Sequence, residues 1–187
     1  MTIISKPTLA LSLAASIIIL AQTATFGQNR SRERNGRRMS AATESGVSNS
    51  SRTWVVRLRP GQDLREELEK LTKSAGIRAG FIVTAVGSLQ KASLRLADRT
   101  DTITFAQKFE IVSLVGTLSG DGVHLHIALS DSEGKTTGGH LVGGSIIYTT
   151  AEIVIGEARD LVFTREQDEQ TGYKELRVHK RSGSGRH

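Results

Sequence analysis

Apolar and polar residues first alternate in "TWVVRLRPG", where Trp54, Val56 and Leu58 share one face of an extended segment that Pro60-Gly61 ends. The period then lengthens. Asp63 stands where a helix cap belongs, Leu64, Leu68 and Leu71 form one apolar stripe to about Ser74, and Gly76 closes the helix. "AGFIVTAVGSL" is a nearly continuous apolar run and predicts a strand of the buried kind. "ASLRLAD" alternates, with Leu94 and Leu96 on one face. "KFEIVSLVGTLS" predicts Phe109, Ile111, Ser113 and Val115 on one face and Val112 and Leu114 on the other. "VHLHIALSD", "GGHLVGGSIIYTTAEIVIGE" and "LVFTREQ" complete a strand-rich second half. One helix among many strands joined by short Gly, Asp and Ser turns predicts a single α+β domain, with a mostly antiparallel sheet and few helices.

The pattern also divides the chain. Residues 1–27 hold an uncharged run whose apolar heart lies from Leu9 to Ala21, the layout of a signal peptide or an N-terminal anchor. "RSRERNGRR" follows directly and resists translocation, which would leave an anchored domain on the cytoplasmic side. Export, periplasmic or membrane-tethered, is the expectation; contact with a membrane would run only through this segment. Residues 28–51 lack apolar periodicity and read as a disordered basic linker, residues 52–179 as the domain, and residues 180–187 as a basic tail.

Charge changes the picture less than its total suggests. The 187 residues carry 25 Lys and Arg against 19 Asp and Glu, a formal net charge of +6. Lys6 and five arginines precede residue 51, and Lys180, Arg181 and Arg186 close the chain, so the basicity lies in the tails. A solvated tail accounts for it without a nucleic-acid arm. The absence of cysteine excludes disulfides, thiolate metal sites and cysteine nucleophiles. No phosphate-cradling loop or nucleotide fingerprint is present, and "GGHLVGG" does not fit Gly-x-Gly-x-x-Gly.

Three of the five histidines fall between Gly122 and Gly144. On a strand, His124 and His126 point the same way, about 7 Å apart. That spacing lets both reach one ion at about 2.0–2.1 Å, and His140 from a returning segment supplies a third ligand. Gly138 and Gly139 would let the backbone approach closely and aim His140 inward. Three protein ligands leave a coordination position open, and an all-imidazole set suits zinc or another divalent transition metal. Three separate, individually hydrogen-bonded histidines fit the same spacing. His179 and His187 belong to the chain end and have no expected role. Asp131 and Glu152 are the carboxylates near in sequence. Asp131 reads as a turn-former, while Glu152, in an apolar strand, needs a partner such as Arg57, Arg95 or the metal pocket. Thr171-Gly172 reads as a turn, with Tyr173 and Leu176 packing the chain end onto the domain.

"VVRLRPGQDLREELEKL", "GIRAGFIVTAVGSLQKASLRLAD", "FEIVSLVGTLS", "HLHIALSDSEGKTTGGHLVGGSIIYTTAEIVI" and "DEQTGYKEL" occur in this order. Over about residues 53–179 the chain resembles the plants-and-prokaryotes conserved (PPC) domain family. The resemblance implies a homotrimer, and it implies that His124, His126 and His140 surround a metal ion. With a coordination position left open, the expected role is to bind a small ligand or to support an undefined metal-assisted reaction. Plant members carry AT-hook segments and lack these histidines. Here the nearest segment, Asn35-Gly36-Arg37-Arg38, has no Arg before the glycine and no Pro after the arginine. Minor-groove insertion is therefore not implied, and nucleic acid is not an expected partner. A DNA-associated trimeric scaffold is the alternative function.

Overall fold

The computed structural model describes residues 46–182. The N-terminal segment expected as a signal peptide or anchor, most of the expected linker and the last five residues, His187 among them, lie outside the described residues. The first element among the described residues is β1 (Ser51–Leu58), which takes in Ser51 from the end of the expected linker. Just before it, the Ser48 hydroxyl and the Asn49 amide donate to the Asp160 carboxylate.

Helix α1 (Leu64–Ser74) begins where the polar pattern places it. Asp63 accepts from the backbone amides of Arg65 and Glu66 at 2.9 and 3.0 Å through Oδ1, which satisfies two of the free donors at the helix start. Its other oxygen, Oδ2, accepts from the Gly144 amide. A single carboxylate thus ties the helix to a loop some eighty residues later. Leu64 and Leu68 are fully buried, as the stripe predicts.

The strands that follow are β2 (Gly80–Arg95), β3 (Ile103–Phe105), β4 (Phe109–Ser119), β5 (Gly122–Ser130), β6 (Thr136–Leu141) and β7 (Ile146–Ala158). Their spatial order is β1-β7-β2-β4-β5-β6, with β3 on β2 and every pairing antiparallel. The strand β2 joins "AGFIVTAVGSL" and "ASLRLAD" into 16 residues, with three register shifts against β7. Such irregularities bend a strand and increase its twist. One consequence is that the far end of β2 also pairs with β6, closing β2, β4, β5 and β6 into a ring around the core. The remaining strands, β8 (Leu161–Gln167) and β9 (Lys174–Lys180), form a separate hairpin.

Two expectations about burial need correction. The apolar run in β2 is not buried on both faces: Phe81, Val83 and Val86 are exposed while Ala85 and Leu89 are buried. In β4 the alternation breaks. Phe109 and Ile111 are buried as expected, but Leu114 then takes the inner face and Val115 is 54% exposed. The cause is a bulge against β5 between Ile111 and Ser113, which shifts every later side chain to the opposite face.

The outer face of the sheet consequently carries Val55, Phe81, Val83, Val86, Val112, Val115 and Tyr148, all exposed. Among the described residues, no helix is long and apolar enough to cross a membrane.

Candidate metal centre

Strand β5 buries Val123, Leu125, Ile127 and Leu129, so the intervening His124 and His126 stand on the outer face of the ring. Strand β6 lies between β5 and the end of β2, and His140 is the Cα partner of both His126 and Arg95. On the other side, Val115 pairs with His126 and Thr117 with His124. Across the outer face the row therefore reads Arg95, His140, His126, Val115.

Glycines permit this close stacking of strands. A Cβ at Gly138 would lie 2.5 Å from the Ile127 carbonyl oxygen, and one at Gly139 would lie 2.9 Å from that of Arg95. Both positions are in a strand, not in a turn. The expected close approach is present, and it packs β6 tightly against both neighbours.

The three imidazoles converge. Their ring centroids are 5.1–5.4 Å apart, and one nitrogen of each lies within 4.8 Å of the others. Nitrogens bound tetrahedrally at about 2.0–2.1 Å stand about 3.3 Å apart, so the three rings would turn inward to take up an ion. His140 Nδ1 is buried and has no hydrogen-bond partner. A buried polar atom left without a partner is costly and uncommon. The donor set and this orphaned nitrogen both fit a transition metal.

Burial and neighbouring positive charge favour the neutral form of His124 and His140. Burial, followed by the Arg95 guanidinium and the other two imidazoles, pushes His140 down to about 4. Burial and then Arg165 lower His124 as well, against a weaker opposing pull from Glu175. Imidazole must be unprotonated to ligate, so this environment holds these two nitrogens ready.

A cavity of about 640 Å³ opens beside His124 and His140. Its walls include Arg65 and Glu69 of α1, Arg95 of β2 and Arg165 of β8. Bonds from Phe163 and Arg165 tie the hairpin to the rest of the domain: the Phe163 amide donates to the Arg78 carbonyl at 2.9 Å. Arg165 donates from its backbone to Asp121 at 3.1 Å and from its guanidinium to Thr117 Oγ1 at 2.8 Å.

The other candidate residues sort differently. Asp131 accepts from the amides of Glu133 and Lys135 and builds a turn, as its surroundings predict. Glu152 is exposed and lies opposite Arg57 in the β1–β7 register; neither it nor Asp131 lines the cavity. Tyr173 does not pack the chain end down: it is 64% exposed and lines the cavity with Lys174 and Glu175. His179 bonds Thr164 Oγ1 at 2.9 Å and lies outside the trio. Sequence reasoning missed Arg165 and assigned no ligand role to Arg95. Arg95 reaches the site through the pairing of β2 with β6, and Arg165 through the bonds that tie its hairpin to Asp121 and Thr117.

The Plants and Prokaryotes Conserved (PCC) domain model matches residues 45–159. Over 131 residues the chain is 49% identical to the bifunctional protein GlmU of Synechococcus sp. (strain JA-3-3Ab), a match that covers 70% of this chain but 21% of that protein. The chain thus spans about a fifth of that relative's length. The AT-hook motif nuclear-localized protein 8 of Arabidopsis thaliana is 26% identical over 111 residues, 54% of this chain and 28% of the plant protein.

Among solved structures, a hypothetical protein of Salmonella enterica is 38% identical with a TM-score of 0.71, covering 73% of this chain and 99% of that one. A metal-containing protein of Archaeoglobus fulgidus is 25% identical with a TM-score of 0.61, covering 72% and 97%. With the family model matching residues 45–159 and the Salmonella structure sharing the fold, the chain belongs to the Plants and Prokaryotes Conserved domain family.

Proposed function

We infer that the domain holds a divalent transition metal, zinc by preference, on His124, His126 and His140, and that a small ligand takes the remaining coordination position. The convergence of three imidazoles, one of them His140 with a buried, unpartnered Nδ1, is the observation that carries this reading. The metal-containing Archaeoglobus relative supports it. When bound, such an ion supplies Lewis-acid polarisation of a carbonyl or phosphoryl oxygen. The chain's own residues hold the His124 and His140 nitrogens unprotonated, orient all three rings through strand pairing, and wall the cavity beside them.

The exposed apolar outer face supports self-association, and in this reading the assembly is a homotrimer with the metal centre near the subunit junction. Val115 belongs to that face and is the cross-strand neighbour of His126. Export or membrane tethering through the N-terminal segment completes the reading. N-terminal sequencing of the mature protein tests that part.

Thermal unfolding of tag-free protein tests the metal site. A ligand that binds only the folded state at about a hundred times its Kd adds about 2.7 kcal/mol of stability. Zinc raises the Tm of the wild type and leaves His126→Ala unchanged; an equal rise in both contradicts the reading.

A second reading, association with DNA, rests on the likeness to the Arabidopsis AT-hook protein. The basic segments of this chain are its tails. A salt-dependent DNA mobility shift lost on deleting residues 28–50 favours it.

A further inference from the structure

The metal centre lies among positive charges. Arg65, Arg95, Arg99, Arg165 and Lys174 all line the adjoining cavity. Arg65 is answered by Glu69 at 2.6 Å, and Arg99 by Asp101 at 2.8 Å. Arg165 spends its guanidinium on the neutral Thr117 hydroxyl. Arg95 is half-buried, the strand partner of His140, and makes no side-chain hydrogen bond or ion pair among the described residues.

Three neutral imidazoles cancel none of a divalent ion's charge. With the ion bound, its charge and the Arg95 guanidinium would sit side by side in a partly dry cavity, and neither would be neutralised by its own ligands. Burying like charges together is unfavourable unless a counter-charge joins them. A guanidinium presents a planar fork that matches a carboxylate or phosphate in two parallel bonds. The same cavity also carries Glu69, Asp98, Asp121 and Glu175. These repel a polyanion and favour a group of low negative charge.

We propose that the cavity is the binding site of a small organic molecule bearing one oxyanion group, a carboxylate or a phosphate monoester, which Arg95 grips beside the His124/His126/His140 centre. This deepens the metal reading and rests on it. Arg95 is a binding residue for the anion and not a ligand of the metal. Arg165 lends a second positive charge from the hairpin side. A volume of about 640 Å³ suits a molecule of metabolite size.

The test uses the full chain, purified without a His-tag and loaded with Co²⁺. Calorimetric titration measures binding of sodium phosphate in one arm and sodium acetate in the other, while visible absorption of the cobalt reports on its surroundings. The wild type is expected to bind at least one anion with a change in the cobalt spectrum. Arg95→Gln is expected to bind it about tenfold more weakly or worse, with cobalt content unchanged. Tighter phosphate binding identifies a phosphate ester as the ligand class, and tighter acetate binding a carboxylate. Arg95→Lys, which keeps the charge but loses the fork, is expected to fall between wild type and Arg95→Gln, and it decides the matter if the glutamine variant does not fold. Undiminished affinity in the substituted protein, or no binding of either anion to the cobalt-loaded wild type, overturns the anion site alone. Failure of the wild type to take up cobalt overturns the metal reading, and this proposal with it.

Discussion

His126 and His140 are direct Cα partners across the β5–β6 pair, with ring centroids 5.4 Å apart at 80°. Antiparallel register places both side chains on one face of the sheet, and His124 joins them from two residues away on β5. The trio is therefore fixed by backbone pairing, not by loop conformation. Sites built on strands hold their geometry more exactly than sites built on loops.

That dependence on pairing makes Gly138 a sensitive position. In Gly138→Ala the new methyl group meets the Ile127 carbonyl oxygen at 2.5 Å, and backbone cannot yield as a side-chain tip can. The variant is expected to lose about 1–3 kcal/mol of stability and, as β6 shifts, to bind metal more weakly. Urea denaturation and metal titration check this; wild-type values in both contradict it.

Asp63→Ala removes the helix cap and the acceptor for the Gly144 amide together. Losing a cap costs about 0.5–2 kcal/mol, and an unsatisfied amide about 1–3 kcal/mol more. Chemical denaturation is expected to show a deficit above that of a simple cap deletion. Asp63→Asn, which keeps an Oδ1 acceptor, should recover part of it.

The fold was readable where local chemistry decided it. Asp63, the Leu64/Leu68 stripe and the His-x-His alternation each carry their structural consequence in a few adjacent residues. The inverted faces of β4 were not readable, because a bulge leaves no composition signal in "FEIVSLV". Nor was the closure of β2 onto β6, which brings Arg95 beside His140 from 45 positions earlier in the chain. Arg165 was hidden for the same reason: it arrives on a separate hairpin held by Asp121 and Thr117. The metal ligands were thus legible as a motif, whereas the charges around them became visible only with the topology.

Acid is expected to destabilise the metal-free domain. His140 titrates near 6.5 when unfolded and at about 4 when folded, and His124 is lowered too. Between those values the unfolded chain binds more protons, so stability rises with pH across this window. Stability present above about pH 6.5 is lost as pH falls toward about 4. Melting curves in a chelator should show this, with a flatter profile in His140→Ala; an unchanged profile argues against it.

The apolar outer face yields a prediction about assembly. Val83 is 57% exposed in the single chain, so Val83→Asp should leave the domain folded. If that face joins subunits, the substitution buries a charge in the interface and dissociates the oligomer. Sedimentation velocity decides: a folded monomer is expected, and an oligomer of wild-type size contradicts that use of the face.

The central claim is that His124, His126 and His140 of one chain hold one metal ion. Elemental analysis of tag-free protein, after zinc loading and removal of excess, tests it most directly. About one zinc per chain is expected in the wild type and in Asp131→Asn, and near-complete loss in His124→Ala, His126→Ala and His140→Ala. Zinc well below stoichiometric in the wild type, or unchanged in the three histidine variants, would contradict it.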